Sequence, residues 1–216
     1  MENTDWYTKL SKLMNPVFSK EQFKQYIKRH REKLPFYKKF IKGRKILDIG
    51  CGFGYSSVSL SYLGYDVVAL DKNGEVINII KKNAKNFGKN MKIVKGDLFE
   101  IDKIFKPDSF DASISGGLLE HFNIRDIRRI VKKQLLFAPI AIADMPICSK
   151  KSYLKKYYRN FSKRICKDEI YRNLWSEDYW VKHVLQDFNV IYSKVSRSSK
   201  HTGRFEKLTL VISRRN

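Results

Sequence analysis

The sequence predicts an α/β fold in which a doubly wound, mostly parallel sheet carries helices on both faces. Three observations lead to this prediction. Short apolar runs alternate with helical stretches between residues 45 and 147, a glycine-rich loop follows the first run, and 216 residues suit one domain with a single core. Such alternation is typical of parallel strands joined by right-handed crossovers.

The first 43 residues are predicted to form a helical cap on this domain. Aromatic and aliphatic residues recur there among lysines, and Pro16 and Pro35 interrupt the helical pattern. This part is interpreted as a cap on the domain and not as a second domain.

Residues 44–147 are predicted to be the core of the fold. Helices are expected from Tyr55 to Leu63, from Glu75 to about Phe87 and from about Ile124 to Leu135. They separate five strand-like runs, which read KILDI, DVVALD, MKIVKGD, FDASIS and FAPIAIAD.

The remainder divides into a basic segment, residues 148–175, and a tail, residues 176–216. In the basic segment, apolar residues recur at intervals of four, three and four, and basic residues recur at every fourth position, which predicts an amphipathic helix inserted after the fifth strand. The tail is predicted to hold a helix from Ser176 to Leu185 and two strands, which brings the sheet to seven strands.

The positive charge of the chain is concentrated at its two ends. The formal net charge is +22, of which residues 1–45 carry +9, residues 46–147 carry +2 and residues 148–216 carry +11. The glycine loop thus lies in a nearly neutral core. Either the basic ends recognise an anionic partner, or they are solvated lysine-rich faces.

Three cysteines, odd in number and without a Cys-x-x-Cys or Cys/His spacing, indicate neither a disulfide framework nor a metal site. The first residues lack a signal-peptide pattern, and the longest apolar run is shorter than the roughly 20 residues of a membrane helix. We therefore expect a soluble cytoplasmic protein that binds no metal and is not integral to a membrane; its oligomeric state is left open.

The stretch from Lys45 to Tyr55, KILDIGCGFGY, predicts a ligand site. A buried strand runs into Gly50, Gly52 and Gly54, which allow a tight turn and a close approach of backbone to ligand, and a helix then begins with unpaired N–H groups facing the loop. A dinucleotide fingerprint would need its third glycine at position 55, where Tyr55 stands.

The pattern D-x-G-x-G-x-G, from Asp48 to Gly54, resembles that of the S-adenosylmethionine-dependent methyltransferases with the seven-stranded Rossmann-like fold. The resemblance covers about residues 44–147 and looks most like the small-molecule methyltransferases. It implies S-adenosylmethionine as cofactor. It also implies that Asp48 orients the loop and the amino acid end of the cofactor, and that Cys51 of the loop lies in the cofactor site.

Further positions follow in the order that the family shows. The resemblance implies that Asp71 and the adjacent Lys72, at the end of the second strand, bind beside the ribose diol, and that Asp97 accepts from the adenine amine while Leu98 contacts the ring. On their own, Asp71 and Asp97 also suit ordinary turns.

The loop after the fourth strand, ISGGLLEHF, is where the family places residues around the sulfonium and the acceptor. The resemblance implies that Ser115 and Gly116 lie beside the methionine part of the cofactor. Glu120 and His121, at the start of the next helix, are the catalytic candidates, because a histidine near its ordinary pKa can take a proton from an acceptor. Helix capping or packing is the other interpretation of His121.

The predicted basic helix lies on the ligand side of the fold, where the family often carries a lid. Lys151, Lys155 and Arg159 are its candidate acceptor-binding residues. An anionic small molecule is the first candidate partner, and nucleic acid or a membrane surface are the others. A solvated helix face explains the lysines equally well.

The absence of three known motifs narrows the range of methyl acceptors. The sequence lacks the Asn/Asp-Pro-Pro-aromatic motif of base-amine methyltransferases, the Pro-Cys pair of cytosine-C5 enzymes and the double-glutamate loop of arginine methyltransferases. The prediction is methyl transfer to an oxygen or nitrogen of an anionic small molecule. A nucleic-acid methyltransferase or binding protein, and a non-catalytic cofactor-binding protein, remain open as alternatives.

Overall fold

A computed structural model describes residues 16–88, 91–148, 155–156, 158–160, 162–166, 170–196 and 206–214. The N-terminal cap consists of helices α1 (Lys20–Glu32) and α2 (Leu34–Phe40), and Pro35 lies in the first turn of α2. Ser19 begins α1 with a reciprocal capping box to Gln22. The break between the two helices thus lies at Pro35, as predicted, and the cap predicted over residues 1–15 lies outside the described residues.

The core alternates strands and helices as predicted. Its elements are β1 (Lys45–Ile49), α3 (Tyr55–Tyr62), β2 (Asp66–Asp71), α4 (Gly74–Phe87), β3 (Met91–Lys95), a 3-10 turn (Leu98–Lys103), β4 (Ala112–Gly116), a second 3-10 turn (Leu119–His121), α5 (Ile124–Phe137) and β5 (Ile140–Ile147). Asn73 and Asn123 cap α4 and α5 with their side chains. Glu120 and His121 thus lie in the turn before α5, and not in the helix itself.

The C-terminal part completes the sheet. A single helical turn, α6 (Glu177–Tyr179), continues into a π-helical turn (Trp180–Val184), and strands β8 (Asn189–Ser196) and β9 (Glu206–Ser213) follow. The strand order is β3-β2-β1-β4-β5-β9-β8, with the first five strands parallel and the last two antiparallel. The predicted fold class is confirmed.

The two faces of the sheet are covered by different helices. Ile114 and Ile142 lie on one face, in the cluster that includes Tyr37 of α2. Ala141 and Met145, at alternate positions of β5, lie on the other face with apolar residues of α5 and the π-helical turn. Both faces of the central strands are buried, which explains why their sequences are almost continuously apolar.

The predicted amphipathic helix after β5 is wrong in the part that the structure describes. Only residues 155–156 are helical there, whereas β6 (Tyr158–Asn160) and β7 (Ile165–Cys166) pair as an antiparallel hairpin. The Asn160 side-chain oxygen accepts from the Lys163 N–H at 3.2 Å, and Arg164 adopts φ of +54°. These two features reverse the chain, which a continuous helix cannot do.

The N-terminal cap packs against the helices beside the glycine loop. Phe18 stacks on Tyr55 with ring centroids 5.1 Å apart, and Phe23 of α1 stacks on Phe87 of α4 at 4.3 Å. Among the residues that the structure describes, none belongs to a helix that is long and apolar enough to span a bilayer.

Candidate functional site

The glycine loop, Asp71 and Asp97 lie at the edge of the sheet where the parallel strands end. Gly50, Gly52 and Gly54 follow β1 with φ angles of +64°, +53° and +85°. A residue with a Cβ rarely adopts this conformation, so three such positions in five residues account for the glycines. The loop returns the chain sharply into α3.

The N–H groups of this loop are already used within the protein. Those of Gly50 and Cys51 both donate to the Leu70 carbonyl, at 2.9 and 3.1 Å, and that of Gly54 donates to the Cys51 carbonyl at 3.0 Å. The Gly52 N–H donates to Asp71 Oδ2 at 3.1 Å. These four groups do not present the donor array that a pyrophosphate needs.

Close packing adds a second reason for two of the glycines. A Cβ on Gly50 would lie 2.6 Å from Leu118 Cδ1, and one on Gly54 would lie 2.6 Å from Ile80 Cγ1. Both distances are shorter than real Cβ contacts. The loop is therefore fitted to its own protein as well as to a ligand.

Asp48 lies beneath the loop. Its side chain is 2% exposed, and the Ser57 hydroxyl at the start of α3 donates to it. Burial raises the pKa of Asp48 to about 7, against the opposing effect of the bond from Ser57, and the neighbouring Asp71 raises it further. The carboxyl joins β1 to α3 and so holds the loop between them.

Asp71 ends β2 directly beside the loop, as the sequence predicts. Its two oxygens accept one N–H each, from Gly52 at 3.1 Å and Asn73 at 3.0 Å. Burial raises its pKa, although the backbone donors oppose this. Each carboxylate oxygen has a second acceptor position, so Asp71 retains the capacity to accept two hydroxyl groups. Lys72 is exposed next to it.

Asp97 and Leu98 follow β3 at the same edge. Asp97 begins the 3-10 turn, and its Oδ1 accepts the Phe99 N–H at 2.8 Å. Leu98 is partly buried against the clusters around α5 and beneath β1. Asp97 thus begins a turn, which is the other role that the sequence suggested for it. Its second carboxylate oxygen, Oδ2, is not used in that turn and can accept from a ligand amine.

At the end of β4, Ser115 and Gly116 face opposite sides of the sheet. The Ser115 hydroxyl is buried and lies 3.5 Å from the Gln134 amide nitrogen of α5. Gly116 is exposed, and within the described chain no heavy atom lies within 4 Å of the position of a Cβ. Space for a ligand therefore opens at Gly116, and not at the Ser115 side chain.

Glu120 and His121 lie just beyond this space. His121 Nδ1 is 2.7 Å from the Tyr171 carbonyl, which can only accept, so Nδ1 carries the proton and Nε2 of the neutral ring is an acceptor. That Nε2 lies 3.7 Å from Glu120 Oε1. Glu120 is 2% exposed, burial raises its pKa, and its Oε2 has no hydrogen-bond partner among the described residues. The pair is an oriented base beside a buried carboxyl.

The segment after the β6–β7 hairpin holds this pair in place. The Asn173 N–H donates to the Glu120 carbonyl at 2.7 Å, and its side chain donates to the Phe122 carbonyl at 2.6 Å. The side-chain oxygen of Asn173 accepts from the Arg164 guanidinium of the hairpin at 2.6 Å. The insertion is thus hydrogen-bonded to the loop after β4. Sequence reasoning did not identify Asn173, because the contact joins residues about fifty positions apart.

Of the predicted lid residues, Lys151 lies outside the described residues. Lys155 is exposed in the short helical turn, and Arg159 lies in β6. Nothing in the described part of the chain brings the three onto one helical face. Groups of three or more residues able to hold a metal are likewise not found among the described residues.

A charged cluster on β5, beside the end of β4, was also missed. Asp144 is paired in register with Gly116, and it accepts from Lys33 Nζ at 3.0 Å and Lys207 Nζ at 2.7 Å. The Thr209 hydroxyl donates to the same carboxylate. The sequence signal that could have indicated this cluster is an aspartate directly after an apolar run. A carboxylate on a buried strand requires hydrogen-bonding or charged partners.

The residues at this edge fit a nucleoside cofactor with a positively charged centre. Asp71 can accept a diol, Asp97 can accept an amine, and the loop presents neither a cation nor an array of free N–H groups for a phosphate. This donor and acceptor set matches S-adenosylmethionine and does not match a dinucleotide.

Comparison with known proteins agrees with this cofactor assignment. A family model described as a methyltransferase domain matches residues 46–135. The chain is 27% identical over 139 residues to a probable S-adenosyl-L-methionine-dependent methyltransferase, TehB, of Haemophilus influenzae, covering 57% of this chain and 48% of that protein. It is 30% identical over 102 residues to an uncharacterized protein of Methanocaldococcus jannaschii, covering 42% of this chain and 35% of that protein. The chain therefore spans less than half the length of these relatives.

Solved structures share the fold. The PH0226 protein of Pyrococcus horikoshii superposes with a TM-score of 0.68 at 20% identity, covering 88% of this chain and 91% of that one. Magnesium protoporphyrin IX methyltransferase of Synechocystis, with bound SAH, gives 0.68 at 16% identity, covering 99% and 96%. With the glycine-loop geometry, these findings identify residues 46–135 as a methyltransferase domain, and the chain shares its fold with solved methyltransferases.

Proposed function

We propose that the protein transfers a methyl group from S-adenosylmethionine to an oxygen or nitrogen of an anionic small molecule. The observation that carries the proposal is Asp71, which faces a loop of occupied N–H groups and keeps one acceptor position on each oxygen. That arrangement suits a ribose diol. When bound, S-adenosylmethionine would supply a methyl group on a sulfonium sulfur, and a nucleophile in line would take that methyl group as the thioether S-adenosylhomocysteine leaves.

The protein contributes binding, orientation and proton transfer. Asp71 and Asp97 hold the nucleoside, and Asp48 keeps the loop in shape through Ser57. His121 is held by the Tyr171 carbonyl with Nε2 as acceptor, so it can take the proton that a hydroxyl or amine acceptor loses. Positioning in a partly closed site supplies most of the acceleration, because the sulfonium is already activated.

The cofactor assignment is tested by thermal unfolding with S-adenosylhomocysteine and with NAD. We expect the first ligand to raise the melting temperature and the second to leave it unchanged. Asp71→Ala should abolish the shift. Asp66→Ala is the matched control, since Asp66 is the exposed residue at the opposite end of the same strand. An unchanged melting temperature with both ligands would refute the cofactor assignment.

The acceptor class is tested by measuring S-adenosylhomocysteine release with carboxylated, phosphorylated, neutral and cationic acceptors. Turnover is expected with anionic acceptors, and His121→Gln should lower kcat most where the acceptor must lose a proton. Turnover confined to neutral or cationic acceptors contradicts the anionic class and leaves methyl transfer itself supported.

A nucleic-acid substrate is the second candidate, and the charge distribution favours it. The terminal parts of the chain carry +9 and +11, while the core carries +2. The logarithm of the RNA affinity should then fall linearly with the logarithm of the salt concentration, because phosphate contacts release counterions. RNA affinity that is independent of salt, or RNA methylation no faster than background, contradicts this candidate.

A further inference from the structure

Two lysines share the carboxylate of Asp144, which lies on β5 beside the end of β4. Lys33 Nζ lies 3.0 Å and Lys207 Nζ lies 2.7 Å from the same oxygen of Asp144. Burial alone would raise the pKa of Asp144, but Lys207 and Lys33 outweigh it and hold the pKa at about 2. The carboxylate is therefore ionised at neutral pH. Burial and the neighbouring Lys33 lower the pKa of Lys207, and Asp144 opposes them. With both ammonium groups protonated, the three groups carry a net charge of +1.

Among the residues that the structure describes, the other titratable groups that interact with this cluster, His30 and Tyr37, are neutral. Burial lowers the pKa of His30 to about 4, and its Nδ1 donates to the Tyr26 carbonyl at 2.9 Å. Burial also raises the pKa of Tyr37. A purely structural ion pair would need only one of the two lysines. The second lysine is in excess, and both side chains remain accessible, at 35% and 41% exposure.

The sheet places this cluster beside the open space at Gly116. Gly116 pairs with Asp144, and Asp144 pairs with Thr209, two residues from Lys207 on β9. Residues opposite one another in register, and residues two apart on one strand, project from the same face. The position of a Cβ on Gly116 has no described heavy atom within 4 Å. The excess charge thus borders the space at the end of β4.

We propose that Lys33 and Lys207 anchor a carboxylate of the methyl acceptor, so that the rest of the acceptor occupies the space at Gly116. This rests on the proposed function, because it takes the ligand edge to be the methyl-transfer site. The charge of the cluster selects the anion: a carboxylate neutralises +1, whereas a phosphate dianion would leave a net negative charge. Each ammonium has three N–H groups and gives one to Asp144, so both retain donors for the acceptor.

The experiment uses the full chain loaded with S-adenosylhomocysteine and three probes, namely benzoate, its neutral isostere benzamide and inorganic phosphate. Isothermal titration should show that benzoate binds more tightly than the other two probes. Lys33→Gln and Lys207→Gln should each weaken benzoate binding about tenfold or more, since each removes a charge-assisted hydrogen bond. Lys207→Arg should retain binding, which separates loss of charge from loss of folding.

Two exposed lysines supply the matched controls. Lys38 lies on α2, close to Lys33 in sequence, and Lys194 lies on β8 beside β9. Lys38→Gln and Lys194→Gln each remove one positive charge from the surface, as the cluster variants do. Benzoate affinity should be unchanged in both. The proposal is overturned if the protein binds S-adenosylhomocysteine but benzoate binds no better than benzamide, if phosphate binds more tightly than benzoate, or if the cluster and control variants behave alike. Failure to bind S-adenosylhomocysteine would instead refute the proposed function.

Discussion

Asp144→Asn is expected to destabilise the folded protein, because it leaves Lys33 and Lys207 close together without their counter-charge. The pKa of Asp144 is lowered from 3.8 to about 2, and a shift of that size corresponds to about 2 kcal/mol of stability at neutral pH. The asparagine still accepts a hydrogen bond, so the loss reports the charge. Urea unfolding at pH 7 should show a free energy of unfolding lower by about that amount.

The pH dependence of the effect has a definite sign. The folded pKa lies below the unfolded value, so the stabilisation is present above about pH 4 and is lost as pH falls towards 2. The difference between wild type and Asp144→Asn should therefore shrink over that range. Adding Lys207→Met to the variant should recover part of the loss, because it removes one of the two unpaired charges.

The control is the same substitution in an exposed ion pair. Asp102 pairs with Lys133 at the surface and is 54% exposed, so Asp102→Asn should leave the free energy of unfolding unchanged within error. The reasoning is refuted if both substitutions have the same effect, or if the effect of Asp144→Asn is as large at pH 2 as at pH 7.

Three further outcomes are expected. Asp48 has a raised folded pKa of about 7, so its contribution to stability should be lost as pH rises from about 4 to about 7. In urea unfolding across pH, the stability of Asp48→Asn relative to wild type should therefore increase over that range, and the stability of Asp66→Asn relative to wild type should stay constant. Trp180 is fully buried and its indole N–H has no partner among the described residues, so Trp180→Ala should cost about 3–5 kcal/mol and Trp180→Phe much less. Asn173→Ala leaves the Phe122 carbonyl unpaired, so hydrogen exchange in residues 158–166 should accelerate while that of β1 stays unchanged.

Each of these has a result that contradicts it. A wild-type profile in Asp48→Asn would mean that this carboxyl does not titrate differently on folding. Equal losses in the two Trp180 variants would mean that ring volume does not determine the stability of this site. Unchanged exchange in the hairpin of Asn173→Ala would mean that other contacts hold the insertion on the loop after β4.

The parallel core was predictable because its signals are local. A buried parallel strand is an apolar run, and a glycine loop with positive φ angles requires glycine, so β1 and the loop from Gly50 to Gly54 can be identified from eleven adjacent residues. Asp71 was predictable for the same reason, since it directly ends an apolar run. Its distance of 3.1 Å from the Gly52 N–H depends on strand pairing, and that required the structure.

The insertion after β5 was not predictable, because an apolar spacing of three and four residues is not unique to helices. Asn160 and Arg164 form a turn within that spacing, and a positive φ at an arginine has no sequence signature. The cluster at Asp144 was missed for another reason. Lys33 lies 111 residues away from Asp144 and reaches it only because α2, which directly follows Lys33, packs on one face of the sheet.

The glycine loop has a consequence for the kinetics of cofactor exchange. Its shape is fixed by bonds to the Leu70 carbonyl, Asp71 and Cys51 and by the packing of Leu118 and Ile80, all of which are contacts within the polypeptide. The conformational entropy of the loop is therefore lost on folding and not on binding. Cofactor entry and by-product departure then need no remodelling of the loop, so their rates should follow diffusion and the opening of neighbouring segments.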